Sequence, residues 1–155
     1  MAKYSAATYK ESILKNNVKL LLKSIQWQDD EKTETELMTD AWYEKIDDTF
    51  RIIYEDTSAT GFEGSVTTIE IEGNNNAAVV RTGAVNSALS LEIGTKHYCH
   101  YDTPFGDMQI GVFTQSIDNK ISECGKLHMK YTLDINSAYL SDNEIILEIK
   151  ENLNQ

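Results

Sequence analysis

The residues with the greatest chemical potential lie together in the segment from His97 to Gly106. This segment holds two of the three histidines, one of the two cysteines and the single proline of the chain. His97, Cys99 and His100 are side chains of the types that bind zinc, but alternation along a strand sends Cys99 and His100 to opposite faces. A structural zinc site uses four ligands. We therefore predict no metal site and no cofactor.

The orientation of this segment depends on the hairpin turn that precedes it. A two-residue loop at Gly94-Thr95 directs Tyr98 and His100 to the interior and leaves His97 paired with Glu92 at the surface. A three-residue loop with a bulge reverses the assignment. Our prediction is the two-residue loop, and the three-residue loop remains its alternative.

Arg81 is the second residue that suggests a site. It is one of two arginines in the chain and ends the apolar run from Ala77 to Val80. One interpretation is a strand-end arginine that extends to solvent. The functional interpretation is a cation at the mouth of a barrel, facing an anionic group. The predicted ligand-binding residues, at the interior or mouth of the barrel, are Arg81, Tyr98, His100 and Tyr101.

No catalytic signature accompanies these residues. Ser87 lacks the Gly-x-Ser-x-Gly context of a nucleophile elbow. The segment from Gly61 to Gly64 is neither a Walker loop nor a dinucleotide fingerprint. Acidic residues are too numerous for their spacing to indicate a glycosidase pair. We predict no catalytic residues, and an enzyme of undefined class remains a lesser alternative.

The elements that must position these side chains are strands. From Val18 onward, short alternating segments are cut by turn residues about every 8 to 14 positions, a pattern typical of a sandwich or barrel. Nine or ten strand candidates follow one another through short connections, which favours an antiparallel meander closed into a barrel. We assign residues 18–155 to one barrel domain and residues 1–17 to an N-terminal arm or short helix. Ser5 would cap that helix over Ala6 to Lys15.

Two local features can be predicted in more detail. A two-residue loop at Asp47-Asp48 sets Glu44 opposite Arg51 and Tyr43 opposite Ile52. This register directs one apolar set inward, namely Ala41, Tyr43, Phe50, Ile52 and Tyr54.

A second feature lies in the last predicted strand. The apolar residues have even numbers at Ala138 and Leu140 but odd numbers from Ile145 onward. Because a shift of one residue exchanges the faces of a strand, we predict a β-bulge near residues 141–143.

Composition limits the partners and the compartment. The chain has 155 residues and a formal net charge of −11, so we expect no nucleic acid partner, because phosphate binding requires clustered basic side chains. No apolar run reaches the length of a membrane span. Cys99 and Cys124, with no signal-peptide pattern at the N-terminus, favour a reduced cytoplasmic protein. Their spacing leaves a disulfide open.

Several segments resemble the YwiB-like family of small bacterial proteins. The most specific are Arg81-Thr82-Gly83 and Tyr101-Asp102-Thr103-Pro104-Phe105-Gly106, and the resemblance extends over roughly Val18 to Lys150. Further matching pieces are 18–20, 60–64, 84–87, 96–98 and 131–136. The resemblance implies a calycin-like, lipocalin-type barrel of about eight strands, of unknown function, and it supplies no catalytic residues.

Three classes of function follow. The preferred hypothesis is a non-catalytic cytoplasmic barrel that binds a small apolar or amphipathic ligand. The alternative is a structural or protein-interaction barrel whose core is filled by large side chains such as Phe50, Met129 and Tyr131. The third class is the enzyme. The volume of the barrel interior distinguishes the first from the second. The oligomeric state is open.

Overall fold

The fold is a closed, ten-stranded antiparallel β-barrel. A computed structural model of the protein describes residues 16–103 and 106–151. Each strand pairs with its neighbours along the chain, and β1 closes the barrel by pairing with β10. The strands are β1 (Val18–Gln28), β2 (Glu31–Ile46), β3 (Thr49–Glu55), β4 (Ser65–Glu72), β5 (Asn76–Gly83), β6 (Ser87–Glu92), β7 (Lys96–Thr103), β8 (Gly106–Lys120), β9 (Lys126–Ile135) and β10 (Ala138–Glu151).

The predicted all-β antiparallel barrel is thus confirmed, whereas the strand count of about eight is wrong. A short helix, α1 (Ile121–Cys124), stands between β8 and β9. The predicted N-terminal helix over Ala6 to Lys15 lies outside the described residues. Among the residues that are described, no helix is long and apolar enough to cross a membrane.

Tight two-residue turns fix the register of several hairpins. In the β2–β3 hairpin, Glu44 lies opposite Arg51 and Tyr43 opposite Ile52, as predicted. Asp47, the first central residue of the turn, adopts a positive φ of 55°, a conformation that aspartate tolerates better than most residues. Three of the predicted inward residues, Ala41, Ile52 and Tyr54, are almost fully buried.

Bulges adjust the faces of two long strands. The register between β9 and β10 shifts between Tyr139 and Ser141, which confirms the predicted bulge at the start of β10. After the shift, Ser141, Ile145 and Leu147 all face the interior. A second register shift, between Thr114 and Ser116 in β8, was not predicted.

The β6–β7 connection corrects one prediction. The two-residue loop at Gly94-Thr95 is wrong, because residues 93–95 separate β6 from β7, Thr95 is bridged to Glu92, and Ser87 lies opposite Tyr101. The physical reason is a contact with β8. Ile93 forms a parallel bridge with Thr114, whose carbonyl oxygen accepts a 3.0 Å hydrogen bond from the amide of Gly94.

The two ends of the barrel differ in packing. We define the closed end as the end that carries the β2–β3 turn and α1, and the mouth as the end that carries the β1–β2, β3–β4 and β9–β10 connections. Toward the closed end the interior is packed with buried apolar side chains, and Ile121 of α1 is 6% exposed there. The fully packed set includes Leu20, Ala41, Ile52, Ile71, Val112, Leu127, Met129 and Leu147.

Candidate functional site

An internal cavity occupies the half of the barrel near the mouth. Its volume is about 330 Å³, at the lower end of the range of small-molecule sites. A depression of about 480 Å³ around Arg51 lies on the outer face instead. We take the internal cavity as the candidate site because strands surround it. The apolar part of its lining consists of Leu22, Leu37, Phe62, Ile69, Val79, Leu89 and Ile145.

A continuous polar wall covers one side of this cavity. Gln26 of β1 lies opposite Thr33 of β2 on one side and Asn143 of β10 on the other. One step deeper, Ser24 lies opposite Thr35. All five side chains line the cavity, so neutral hydrogen-bonding groups from three adjacent strands meet there.

Arg81 stands on β5, in another part of the wall. Its Nε donates hydrogen bonds to Thr67 Oγ1 at 3.0 Å and to Asp56 Oδ2 at 3.3 Å. The Asp56 side chain is fully buried and the Arg81 side chain is 15% exposed. Asp56 Oδ2 also accepts a hydrogen bond from Thr67 Oγ1 at 2.5 Å. Since Asp56 and Thr67 do not line the cavity, they hold the arginine from behind.

The β3–β4 loop is attached to the same network. Thr60 Oγ1 donates a hydrogen bond to Asp56 Oδ1 at 3.1 Å. The ring of Phe62 lies over the guanidinium of Arg81, with 3.9 Å between Cζ and the ring centroid. A cation over an aromatic face is an attractive arrangement. Asp56 and Arg81 therefore position the loop as well as each other.

Two buried tyrosines complete the lining. Burial raises the pKa of Tyr54 to about 12, and the negative charge of Asp56 adds to this effect while Arg81 and Thr67 oppose it. Burial also raises the pKa of Tyr131 to about 12, with Arg81 as a smaller opposing influence. Both hydroxyls consequently stay neutral well above physiological pH and can donate hydrogen bonds.

Metal ligands do not converge in the described structure. Within residues 16–103 and 106–151, no group of three or more histidine, cysteine, aspartate or glutamate side chains is arranged to hold a metal ion. Cys99 is buried and Cys124 exposed, and both are free thiols.

Comparison with known proteins identifies the family. A family model described as a domain of unknown function, DUF1934, matches residues 20–147. The chain belongs to the DUF1934 family. The crystal structure of the YwiB protein from Bacillus subtilis is similar to this DUF1934 chain, with a TM-score of 0.66 and 21% sequence identity over 86% of this chain and 91% of YwiB. The predicted resemblance to the YwiB-like family is confirmed. No curated protein matches the chain.

The structure brings two of the four predicted ligand-binding residues to the cavity of this DUF1934 domain. Arg81 and Tyr101 line it. Tyr98 is 60% exposed on the outer face, and His100 is exposed as well, because the three-residue β6–β7 connection reverses the predicted faces of β7. The predicted pair between His97 and Glu92 does form, with 2.8 Å between Nε2 and Oε1.

Several residues that line the cavity or hold Arg81 in place were missed by the sequence analysis. Thr67 lies directly opposite Arg81 in the β4–β5 pair, and the short turn between Glu72 and Asn76 fixes this register. The even-numbered residues of β1 change from Leu20 and Leu22 to Ser24 and Gln26, which was a visible indication of a polar wall. Asp56 and Phe62 lie in a loop, and no periodicity indicated them.

Proposed function

We propose that this DUF1934 protein binds a small amphipathic molecule inside a calycin-like barrel. The observation that carries the proposal is the internal cavity of about 330 Å³ near the mouth. The interior is packed at the closed end, and the large residues Phe50, Met129 and Tyr131 are buried. Packing nevertheless stops at the level of Leu22 and Leu37, where the cavity begins.

The distribution of polarity favours an amphipathic ligand. Gln26, Thr33 and Asn143 line the cavity near the mouth, whereas Leu22, Leu37 and other apolar side chains line its deeper part. A ligand with a polar head at the mouth and an apolar tail directed inward would satisfy both regions. Buried polar groups need hydrogen-bonding partners and buried apolar groups exclude water, so each region selects its own part of the ligand.

The chemistry of the lining supports binding. Its polar groups are hydroxyls, amides and one guanidinium, which orient a ligand through hydrogen bonds. We accordingly place Arg81 and Tyr101 in the proposed site, with Gln26 and Asn143.

The experiment is native mass spectrometry of the protein purified from its own host. The wild-type protein should release a small molecule on denaturation. Leu89 lines the cavity. The substitution Leu89→Trp should therefore fill the cavity and abolish the release of a small molecule. The matched control is Ala88→Trp, since Ala88 is exposed on the same strand. Circular dichroism would show that both variants are folded.

The outcomes separate the hypotheses. A small molecule bound to the wild type and to A88W but absent from L89W supports the proposal. Three proteins without a bound small molecule, or a molecule retained equally by L89W, would contradict it.

The second candidate function is protein binding by the outer face. It is favoured by an outer depression in which Met38, 69% exposed, lies opposite Leu21 and shares the lining with Ile146. Exposed apolar side chains that cluster often mark interaction surfaces. A protein partner retained in the same spectra by the wild type and L89W, with no small molecule present, would favour this function.

A further inference from the structure

We infer that the ligand of the cavity is a small organic monoanion, a monocarboxylate with an apolar tail, whose head group binds at Arg81. This inference rests on the proposed function and specifies its ligand. It begins with charge. Of the described residues that line the cavity, Arg81 is the only one with a charged side chain. Within the described lining, a chain with a net charge of −11 thus presents one cationic side chain to the cavity, while its partner Asp56 lies outside the lining.

The geometry leaves this cation able to bind an acceptor. Arg81 contacts Asp56 and Thr67 through Nε, which lies at the stem of the guanidinium, and it also has the Tyr54 hydroxyl as a hydrogen-bond partner. The two terminal nitrogens form the fork that matches the two oxygens of a carboxylate. The ring of Phe62 lies over the guanidinium, and a bidentate carboxylate would approach in the guanidinium plane, where this ring does not stand.

The surroundings supply further donors for an anion. The side chains of Tyr54, Tyr101 and Tyr131 line the same cavity as Arg81. Tyr54 and Tyr131 are buried, and their hydroxyls can each donate one hydrogen bond. The carboxylate would thus meet a charged fork and neutral donors in a site largely removed from water, where charge-assisted hydrogen bonds are strong.

The charge balance favours one negative charge over two. Asp56 is fully buried within 3.3 Å of Arg81, so the pair is already neutral. A monocarboxylate adds one negative charge to this neutral pair, whereas a phosphate monoester adds close to two. Because burying uncompensated charge is costly, the carboxylate is the better match of these two anions.

The apolar residues in the deeper part of the cavity indicate that the ligand has an apolar tail. Ile69 and Val79 lie opposite each other on β4 and β5, one inward step below Thr67 and Arg81, and both line the cavity. On the other side, Leu22 and Leu37 form a second apolar pair. A carboxylate held at Arg81 therefore has apolar surface directly beneath it.

The test compares three probes that share one alkyl chain: octanoate, 1-octanol and octyl phosphate. Isothermal titration calorimetry on the full-length wild-type protein should show that octanoate binds at least about tenfold more tightly than 1-octanol, the discrimination expected for hydrogen bonds to a charged group. Octyl phosphate should bind more weakly than octanoate.

The decisive variant is the double substitution D56N/R81Q. Replacing Arg81 alone would leave the buried Asp56 carboxylate unpaired, so the double variant keeps the pair neutral and the polar contacts similar. Its preference for octanoate over 1-octanol should fall to about twofold or less. The matched control is Arg51→Gln. Arg51, the other arginine, binds Glu44 and Glu70 on the outer face, and its substitution should leave the preference unchanged.

Failure of this inference differs from failure of the proposed function. If 1-octanol binds to the wild type as tightly as octanoate, or if the preference survives in D56N/R81Q, the cavity binds amphipathic molecules but Arg81 does not select an anion. Tighter binding of octyl phosphate would likewise overturn the monocarboxylate. If none of the three probes binds, both proposals fail.

Discussion

Alkaline pH should destabilise the barrel through its buried tyrosines. The free, unfolded tyrosine has a pKa near 10.0, whereas burial raises the pKa of Tyr131 to about 12 in the folded protein. A raised pKa means that folding favours the protonated form, so this contribution is fully present below pH 10 and is lost as the pH rises toward 12. At about pH 11 the unfolded side chain is mostly ionised and the folded one mostly protonated. The tenfold difference in ionisation costs about 1.4 kcal/mol of unfolding free energy.

The assay is urea denaturation at pH values from about 8 to 11, with the variant Tyr131→Phe beside the wild type. The pKa of Tyr54 is also raised to about 12, so Tyr54 should contribute a similar loss. The wild type has both tyrosines and the variant has only Tyr54. The loss of unfolding free energy from these two residues should therefore be roughly twice as large in the wild type. Lysine titration affects both proteins equally and cancels in the difference. The control is Tyr98→Phe, which removes the same hydroxyl from an exposed position. Parallel profiles for the wild type and Y131F up to pH 11 would refute the reasoning.

The remaining predictions concern packing and backbone geometry. Met129 is completely buried and Met38 is 69% exposed, so Met129→Ala should lower the unfolding free energy by about 2–5 kcal/mol and Met38→Ala by less than about 0.5 kcal/mol. Urea denaturation of both variants measures the contrast, and equal losses would contradict the packed closed end. A Cβ at Gly83, where φ is 121°, would lie 2.5 Å from the carbonyl oxygen of Gly64, whereas a Cβ at Gly73 meets nothing within 4 Å. Gly83→Ala should therefore lower the thermal midpoint more than Gly73→Ala, and the reverse order would exclude this close approach of β5 to the β3–β4 loop.

The class of fold was predictable because each hairpin carries its own register information. Asp47-Asp48 defines a tight turn, and the match of Glu44 with Arg51 tests it independently of any other strand. The bulge at the start of β10 was predictable for a similar reason. The apolar residues of this strand change from even to odd positions near Ser141, and both sets can face the interior only if the strand contains one extra residue there. These features depend on contacts close in sequence.

The orientation of β7 was not predictable from the residues of its own hairpin. The chain at Gly94-Thr95 is compatible with both loop lengths, and the choice is made by Ile93, which pairs with Thr114 of β8. That contact joins residues that are distant in sequence. The consequence for the site was large. A shift of one residue in the pairing of β7 places Tyr101 in the lining of the cavity and Tyr98 on the outer face.

The cavity itself follows from a polarity gradient that three adjacent strands share. Along the inward face of β1, apolar residues give way to polar ones toward the mouth, from Leu20 and Leu22 to Ser24 and Gln26. The neighbouring strands show the same change at the same level, since Thr33 and Asn143 flank Gln26. In one strand alone, such a change would indicate a fraying end. Repeated in register across β2, β1 and β10, it prevents the apolar core from continuing to the mouth, because buried hydroxyls and amides require hydrogen-bonding partners that a filled core cannot provide. A barrel built this way needs water or a ligand at its mouth, and Arg81 in the same cavity determines which kind of ligand we expect.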